Sequence, residues 1–164
     1  MDLAQFNQLS AAEAVAAVAH CVAIPAWSQA LAAARPYASL TALYHRAEQL
    51  THAWQGAELT QALQAHPRIG EKAVGEAKEA ALSRTEQAAM QQAGGALQLA
   101  MLAANQTYEQ RFGRVFLIRA KGRSGEEMLA ELRRRLNNDD STEQQEALAQ
   151  LREITLLRLM ESIT

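Results

Sequence analysis

His66 stands directly before Pro67, with Gly70 three residues beyond the proline, in the stretch 61–72 that reads QALQAHPRIGEK. A proline ring crowds the backbone of the preceding residue out of the helical region, so the helix that leads in ends here and holds the imidazole at a stiff corner. Histidine exchanges a proton near neutrality, its unperturbed pKa being about 6.5, which makes a fixed imidazole a candidate acid or base. The plainer alternative is a structural histidine at a helix end. Gly70 permits a tight turn beside it.

Two further side chains invite chemistry. Glu86 follows Ser83 at the spacing of a capping box, which accounts for it without any ligand. The same spacing predicts a helix start, where N-H groups and positive dipole would suit an anionic or carbonyl-bearing ligand beside Ser83, Arg84 and Glu86. Arg158 lies seven residues after Leu151 and four after Ile154, inside the apolar stripe of the last helix. A charge there needs a partner. It either snorkels to the surface or clamps a carboxylate or paired carbonyl oxygens in bidentate fashion.

The remaining candidates have bland readings. His45 and His52, seven apart with Glu48 between them, lack the four-residue spacing of zinc-binding helices and read as surface polar groups, so no metal site is expected. His20 is placed near a helix C-terminus, where a cation is welcome. Cys21 is the only cysteine; it reads as a small buried hydrophobe on an apolar helix, and a disulfide framework or multi-cysteine zinc site is excluded.

The elements that must position these residues are helical. Alanine, leucine, glutamine and glutamate dominate and aromatics make up 5%, a composition that favours an all-α fold. Capping boxes at Ser10 with Glu13, Ser83 with Glu86 and Ser124 with Glu127 mark helix starts. Helices are predicted at 2–8, 11–22, 26–35, 39–54, 57–65, 71–81, 84–111, 125–137 and 142–162. Gly94 and Gly95 inside the longest of these predict a kink, a close helix crossing or a division into two helices. The run 114–120, RVFLIRA, is β-branched and aromatic and is bounded by glycines; it is the one segment expected to be extended, with backbone N-H groups available to a ligand. The polar NNDD at 137–140 predicts a turn before the last helix.

At 164 residues the chain is most simply one domain, 1–164, a bundle of about eight or nine helices with one short extended segment. Sixteen basic and eighteen acidic residues leave a formal charge of -2, so neither nucleic acid nor an anionic membrane is expected as a partner. The N-terminal MDLAQFNQLS lacks the layout of a signal peptide, no run is long and apolar enough to span a bilayer, and the chain closes on Ser162-Ile163-Thr164 rather than a peroxisomal tripeptide. A cytoplasmic location is expected.

In order and spacing, these pieces resemble the 2-oxo-4-hydroxy-4-carboxy-5-ureidoimidazoline (OHCU) decarboxylase family of urate degradation, over nearly the whole chain. The anchors are His66-Pro67 with Ile69-Gly70 and Lys72; Ser83-Arg84-Thr85-Glu86-Gln87; 105–113 as NQTYEQRFG; Phe116-Leu117-Ile118; and 154–159 as ITLLRL. The resemblance implies cofactor-independent decarboxylation of the ureidoimidazoline to (S)-allantoin, with His66 as the catalytic histidine and Glu86 as its partner carboxylate. It implies substrate contacts from Pro67, from Ser83, Arg84, Thr85, Glu86 and Gln87, from the backbone of Phe116, Leu117, Ile118, Arg119 and Ala120, and from Arg158, in a homodimer. Where the family typically reads FGFPF, this chain has Phe112-Gly113-Arg114-Val115-Phe116, so Arg114 and Val115 depart from the pattern, and the missing proline restores a backbone N-H. Two other readings stay open on the residues alone: a hydrolase or lyase acting on another ureido compound, and a non-catalytic helical oligomerisation module.

Overall fold

The computed structural model describes residues 1–71, 78–91 and 93–164. Among these residues there are ten α-helices and one 3-10 turn, and no strand. The all-α class is as expected, with one α-helix more than the nine segments predicted. The start of the helix expected at 71–81, and Lys72 with it, lies outside the described residues. The chain divides into two compact units, Met1–Ala62 with Arg152–Thr164, and Leu63–Leu151.

The first unit holds α1 (Leu3–Gln8), α2 (Ala11–Val18), the 3-10 turn Ala19–Cys21, α3 (Pro25–Ala33), α4 (Leu40–Thr51), most of α5 (Gly56–Leu63) and the last turns of α10 (Asp140–Ser162). Local chemistry sets the starts. Asp2 and Ser10 each close a capping box, Ser39 caps α4, and Pro25 opens α3 where its missing N-H costs nothing. α3 packs against α2 on one side and α4 on the other, and the buried Trp27 donates its indole N-H to the Ala47 carbonyl at 3.1 Å. Arg35 gathers the carbonyls of Phe6, Leu9 and Ala32 at 2.8, 2.7 and 2.8 Å while lying over the Phe6 ring. Cys21 is buried, as its apolar setting predicted. His20 lies just past the C-terminus of α2, in the 3-10 turn, as expected, and is buried with its ring 2.6 Å from the Ser162 hydroxyl.

The second unit holds α6 (Lys78–Glu86), α7 (Ala88–Gln91), α8 (Gly95–Phe112), α9 (Gly125–Arg135) and the first turns of α10. The capping box at Ser124 and Glu127 forms as predicted. The one at Ser83 does not: α6 runs through Ser83, since the preceding Ala80, Ala81 and Leu82 are strong helix formers and the serine is buried at 3% exposure. The glycine pair does divide the long segment, with Gly94 as the N-cap of α8. Gly113, at φ 71°, closes α8 in the left-handed conformation. Gly125 lets α9 approach closely, because a Cβ there would meet Leu97 Cδ2 at 2.8 Å.

The core of this unit gathers Ile69 from the loop after α5, Met90 from α7, Met101 and Tyr108 from α8, Phe116 and Ile118 from the segment after it, and Met128 and Leu132 from α9. Set into it is a buried ion pair. Arg135, 1% exposed, meets Glu143, fully buried, through Nη2 at 2.5 Å and through Nε at 3.0 Å to both carboxylate oxygens. Its Nη1 donates to the Leu117 carbonyl at 2.8 Å, and the guanidinium lies 4.5 Å from the Phe116 ring centroid. Glu143 also accepts from the Tyr108 hydroxyl and from Asn138 Nδ2. Burial first, then the bond to Glu143, pushes the Tyr108 phenol above its ordinary range. Removing one partner leaves a buried charge uncompensated, which costs about 3–5 kcal/mol, whereas apolar replacement of both is far milder. Arg135→Met should therefore destabilise strongly in urea unfolding, and Arg135→Met with Glu143→Leu should recover most of the loss.

Candidate functional site

The corner at His66 forms as predicted. α5 ends at Leu63, and the His66 N-H closes onto the Leu63 carbonyl at 3.1 Å. His66 and Pro67 are half-buried. Beyond them Ile69 turns into the core at 5% exposure, and Gly70 takes φ 97°, a conformation that side chains other than glycine resist.

Three side chains from two helices hold this loop. On α8, Asn105 Nδ2 donates to the Ile69 carbonyl at 2.7 Å. One turn later on the same face, Glu109 takes the Arg68 guanidinium in a two-pronged pair at 2.7 and 2.8 Å. At the end of α6, Gln87 Oε1 accepts the Gly70 N-H at 3.2 Å. Gln87 is the immediate neighbour of Glu86, so the segments that carry the histidine and the carboxylate are in direct contact.

Along the rest of α6 and the residue after it, the predicted contacts separate by face. Ser83 and Gln87, four apart, are buried, while Arg84 and Glu86 are half-buried. Thr85 is exposed, and its hydroxyl returns to the Ala81 carbonyl at 3.1 Å. Because 83–86 closes a helix instead of opening one, the expected supply of N-H groups and positive dipole is not there; Arg84 sits in the last turn, where the dipole welcomes a cation.

The segment 115–120 is free of helix, as expected, and packs into the core through Phe116, Leu117, Ile118 and Ala120. Its backbone is held on both sides: Arg135 binds the Leu117 carbonyl, and Gln150 Oε1 accepts the Arg119 N-H at 2.9 Å. That N-H is thereby taken from the set expected to await a ligand. Arg119 directs Nη1 to the Lys121 carbonyl at 2.6 Å. Arg114 lies 5.9 Å from the Phe112 centroid, and its buried Nε and Nη2 have no hydrogen-bond partner among the described residues. Ile69, Phe116, Ile118 and Ala120 share one core cluster, so the histidine loop and this segment rest on a common base.

Arg158 belongs to the first unit. It does not snorkel: it is 1% exposed, and its Nη1 points to the His20 carbonyl at 3.4 Å. His45, Glu48 and His52 are exposed, and among the described residues no three His, Cys, Asp or Glu side chains converge as metal ligands would. A cavity of about 370 Å³ lies beside the loop, walled by Arg68, Ile69, Gly70, Leu99, Leu102 and Asn105 among others. Its described lining includes none of His66, Glu86 or 116–120, so it flanks the loop's support and not the predicted chemistry.

Asn105 and Glu109 enter the sequence reading only as part of the anchor 105–113, and Arg135, Glu143 and Gln150 carry no sequence-based assignment. Two of them carried a readable signal. Arg135 follows Met128 and Leu132 by seven and three residues, and Glu143 precedes Ala147 and Leu151 by four and eight, so both are charges inside buried stripes, the feature that drew attention to Arg158. The carboxamides had no such mark, since their partners are backbone groups distant in sequence.

Comparison with known proteins adds to this geometry. The chain is 27% identical, over 98% of its length, to a uric acid degradation bifunctional protein of Bacillus sp. (strain TB-90), and spans only 32%, about a third, of that protein. It is 30% identical to the 2-oxo-4-hydroxy-4-carboxy-5-ureidoimidazoline decarboxylase of Amia calva, covering 99% of this chain and 95% of that protein. Its fold matches a crystal structure of OHCU decarboxylase determined in the presence of (S)-allantoin with a TM-score of 0.73, over 87% of this chain and 94% of that one, at 22% identity. The family model described as OHCU decarboxylase matches residues 7–160, and with the histidine corner, the Glu86 helix and the buried 116–120 segment in place, the chain belongs to the OHCU decarboxylase family.

Proposed function

We propose that this protein decarboxylates 2-oxo-4-hydroxy-4-carboxy-5-ureidoimidazoline to (S)-allantoin in urate degradation, a carbon-carbon lyase acting without a cofactor. The observation that carries the reading is the bond from Gly70 to Gln87, which ties the His66 loop to the helix of Glu86 in a chain of this family. The family model spans both compact units, which supports reading 1–164 as one functional domain.

The substrate supplies its own electron sink. As the carboxylate departs as CO2, the electrons of the breaking C-C bond flow into the adjacent C=N system of the imidazoline ring, a task otherwise given to a cofactor. The protein then has to align that bond with the π system and deliver a proton to one face of the neighbouring ureido-bearing carbon, while the hydroxyl-bearing carbon becomes the ring carbonyl. His66 is the acid and base at the hydroxyl and carboxylate end of the ring. Glu86 holds the imidazole or the substrate hydroxyl in register. Pro67 and the half-buried Arg84 belong to the same substrate-contacting set, with backbone groups of 116–120 binding ring and ureido oxygens. Arg158 is carried as a substrate-binding arginine on the family resemblance alone. A homodimer in the cytoplasm is part of the same proposal, also from resemblance.

Freshly prepared OHCU decays spontaneously, so the assay is the rate and optical sign of allantoin formation followed by circular dichroism. The wild-type protein should accelerate the reaction and yield the (S) enantiomer. His66→Asn should lose about 10² to 10⁴ in turnover, the usual worth of a positioned acid or base, while keeping its melting temperature. Equal activity in that variant would sink the assignment. Allantoin should also raise the melting temperature of the wild-type protein, because a ligand that binds only the folded state stabilises it; no shift at millimolar allantoin would favour the non-catalytic module.

A further inference from the structure

The Ile69 carbonyl and the Gly70 N-H are the two polar edges of a single peptide unit, and they point in opposite directions because the bond is trans and planar. Asn105 grips the carbonyl at 2.7 Å and Gln87 grips the N-H at 3.2 Å. Both carboxamides are nearly inaccessible, at 2% and 5% exposure. One comes from α8 and the other from the residue that follows α6, so a single peptide plane is held from two sides, three to four residues from His66. Gly70 at φ 97° and the ring of Pro67 restrict the backbone on either side of that plane.

We infer that Asn105 and Gln87 are positioning residues for the decarboxylase reaction, clamping the Ile69-Gly70 peptide so that the His66 loop keeps its register against the helix of Glu86. The inference rests on the function proposed above. A peptide plane held at both edges cannot rotate without breaking both hydrogen bonds, so the loop has one orientation available and the imidazole inherits it. Gln87 acts on the loop through this bond, which leaves its second lone pair and its amide N-H groups for other contacts. Asn105 contributes its donor: its Oδ1 is buried without a hydrogen-bond partner among the described residues, so the amide is oriented by the Ile69 bond alone. Arg68 and Glu109 add a third hold, on the outer side of the same turn.

The test pairs kinetics with amide exchange on the full-length protein. Asn105→Leu keeps the number and branching of the side-chain heavy atoms and removes the donor, and Gln87→Met removes the acceptor from the other edge, so failure of either variant to fold leaves the other available. Each should lower kcat by about tenfold to a hundredfold, the cost of a misplaced catalytic group, with KM changed much less. In the His66→Asn background the same substitutions should add no further loss, because the group they position is gone. In the wild-type protein the Gly70 amide should be protected from hydrogen exchange, and in Gln87→Met it should exchange at least about tenfold faster. An active wild-type protein with an unprotected Gly70, or substitutions that raise KM alone or multiply with His66→Asn, would overturn the clamp. A protected Gly70 in a wild-type protein that does not turn over OHCU would overturn the functional reading instead.

Discussion

A charge buried in a protein core must be matched, and in the second unit that requirement organises the packing around Arg135 and Glu143. Each is 1% exposed or less, and between them they engage Tyr108 on α8, Asn138 in the turn before α10, and the carbonyl of Leu117. The pair therefore fixes more than two helices. It sets where α9 meets α10 and supplies the hydrogen bond that a buried, non-helical segment at 115–120 would otherwise lack. The aromatic group of Tyr108, Phe112 and Phe116 fills the space beside it, with Phe116 lying under the guanidinium.

The same logic recurs at the histidine corner with neutral groups. A loop that leaves a helix at a proline cannot continue the helical hydrogen-bond pattern, so its backbone groups have to find partners elsewhere. Here they find carboxamides, from Asn105 and Gln87, and Arg68 finds Glu109. Satisfying the backbone and placing the imidazole are consequently one problem. Two of the elements proposed to meet a substrate, the His66 loop and 115–120, are irregular, and in each a side chain from elsewhere in the unit takes up backbone groups that no regular pattern pairs.

Legibility from sequence followed the range of the interactions. The caps at Ser10 and Ser124, the corner at His66, the turn at Gly70 and the division at Gly94 and Gly95 are contained within a few residues of chain, and each was read correctly. Ser83 shows the limit of such reading. Its spacing to Glu86 satisfies a capping box, yet the helix formers before it and the burial of its side chain carry the helix past it. That reversal matters for the site, because it gives 83–86 the electronegative end of a helix in place of the electropositive one.

By itself, then, the order of residues determined the helical class, most helix limits, the family, and which histidine stands at a rigid corner, since these depend on local backbone sterics and on short periodic patterns. Tertiary structure alone decided that Arg135 and Glu143 share a core, that Gln150 takes the Arg119 N-H, and that two carboxamides close on one peptide. The physical reason is that a hydrogen bond between a side chain and a distant backbone group leaves no periodic trace: neither partner's type nor its position names the other until packing has brought them within 3 Å or so of each other.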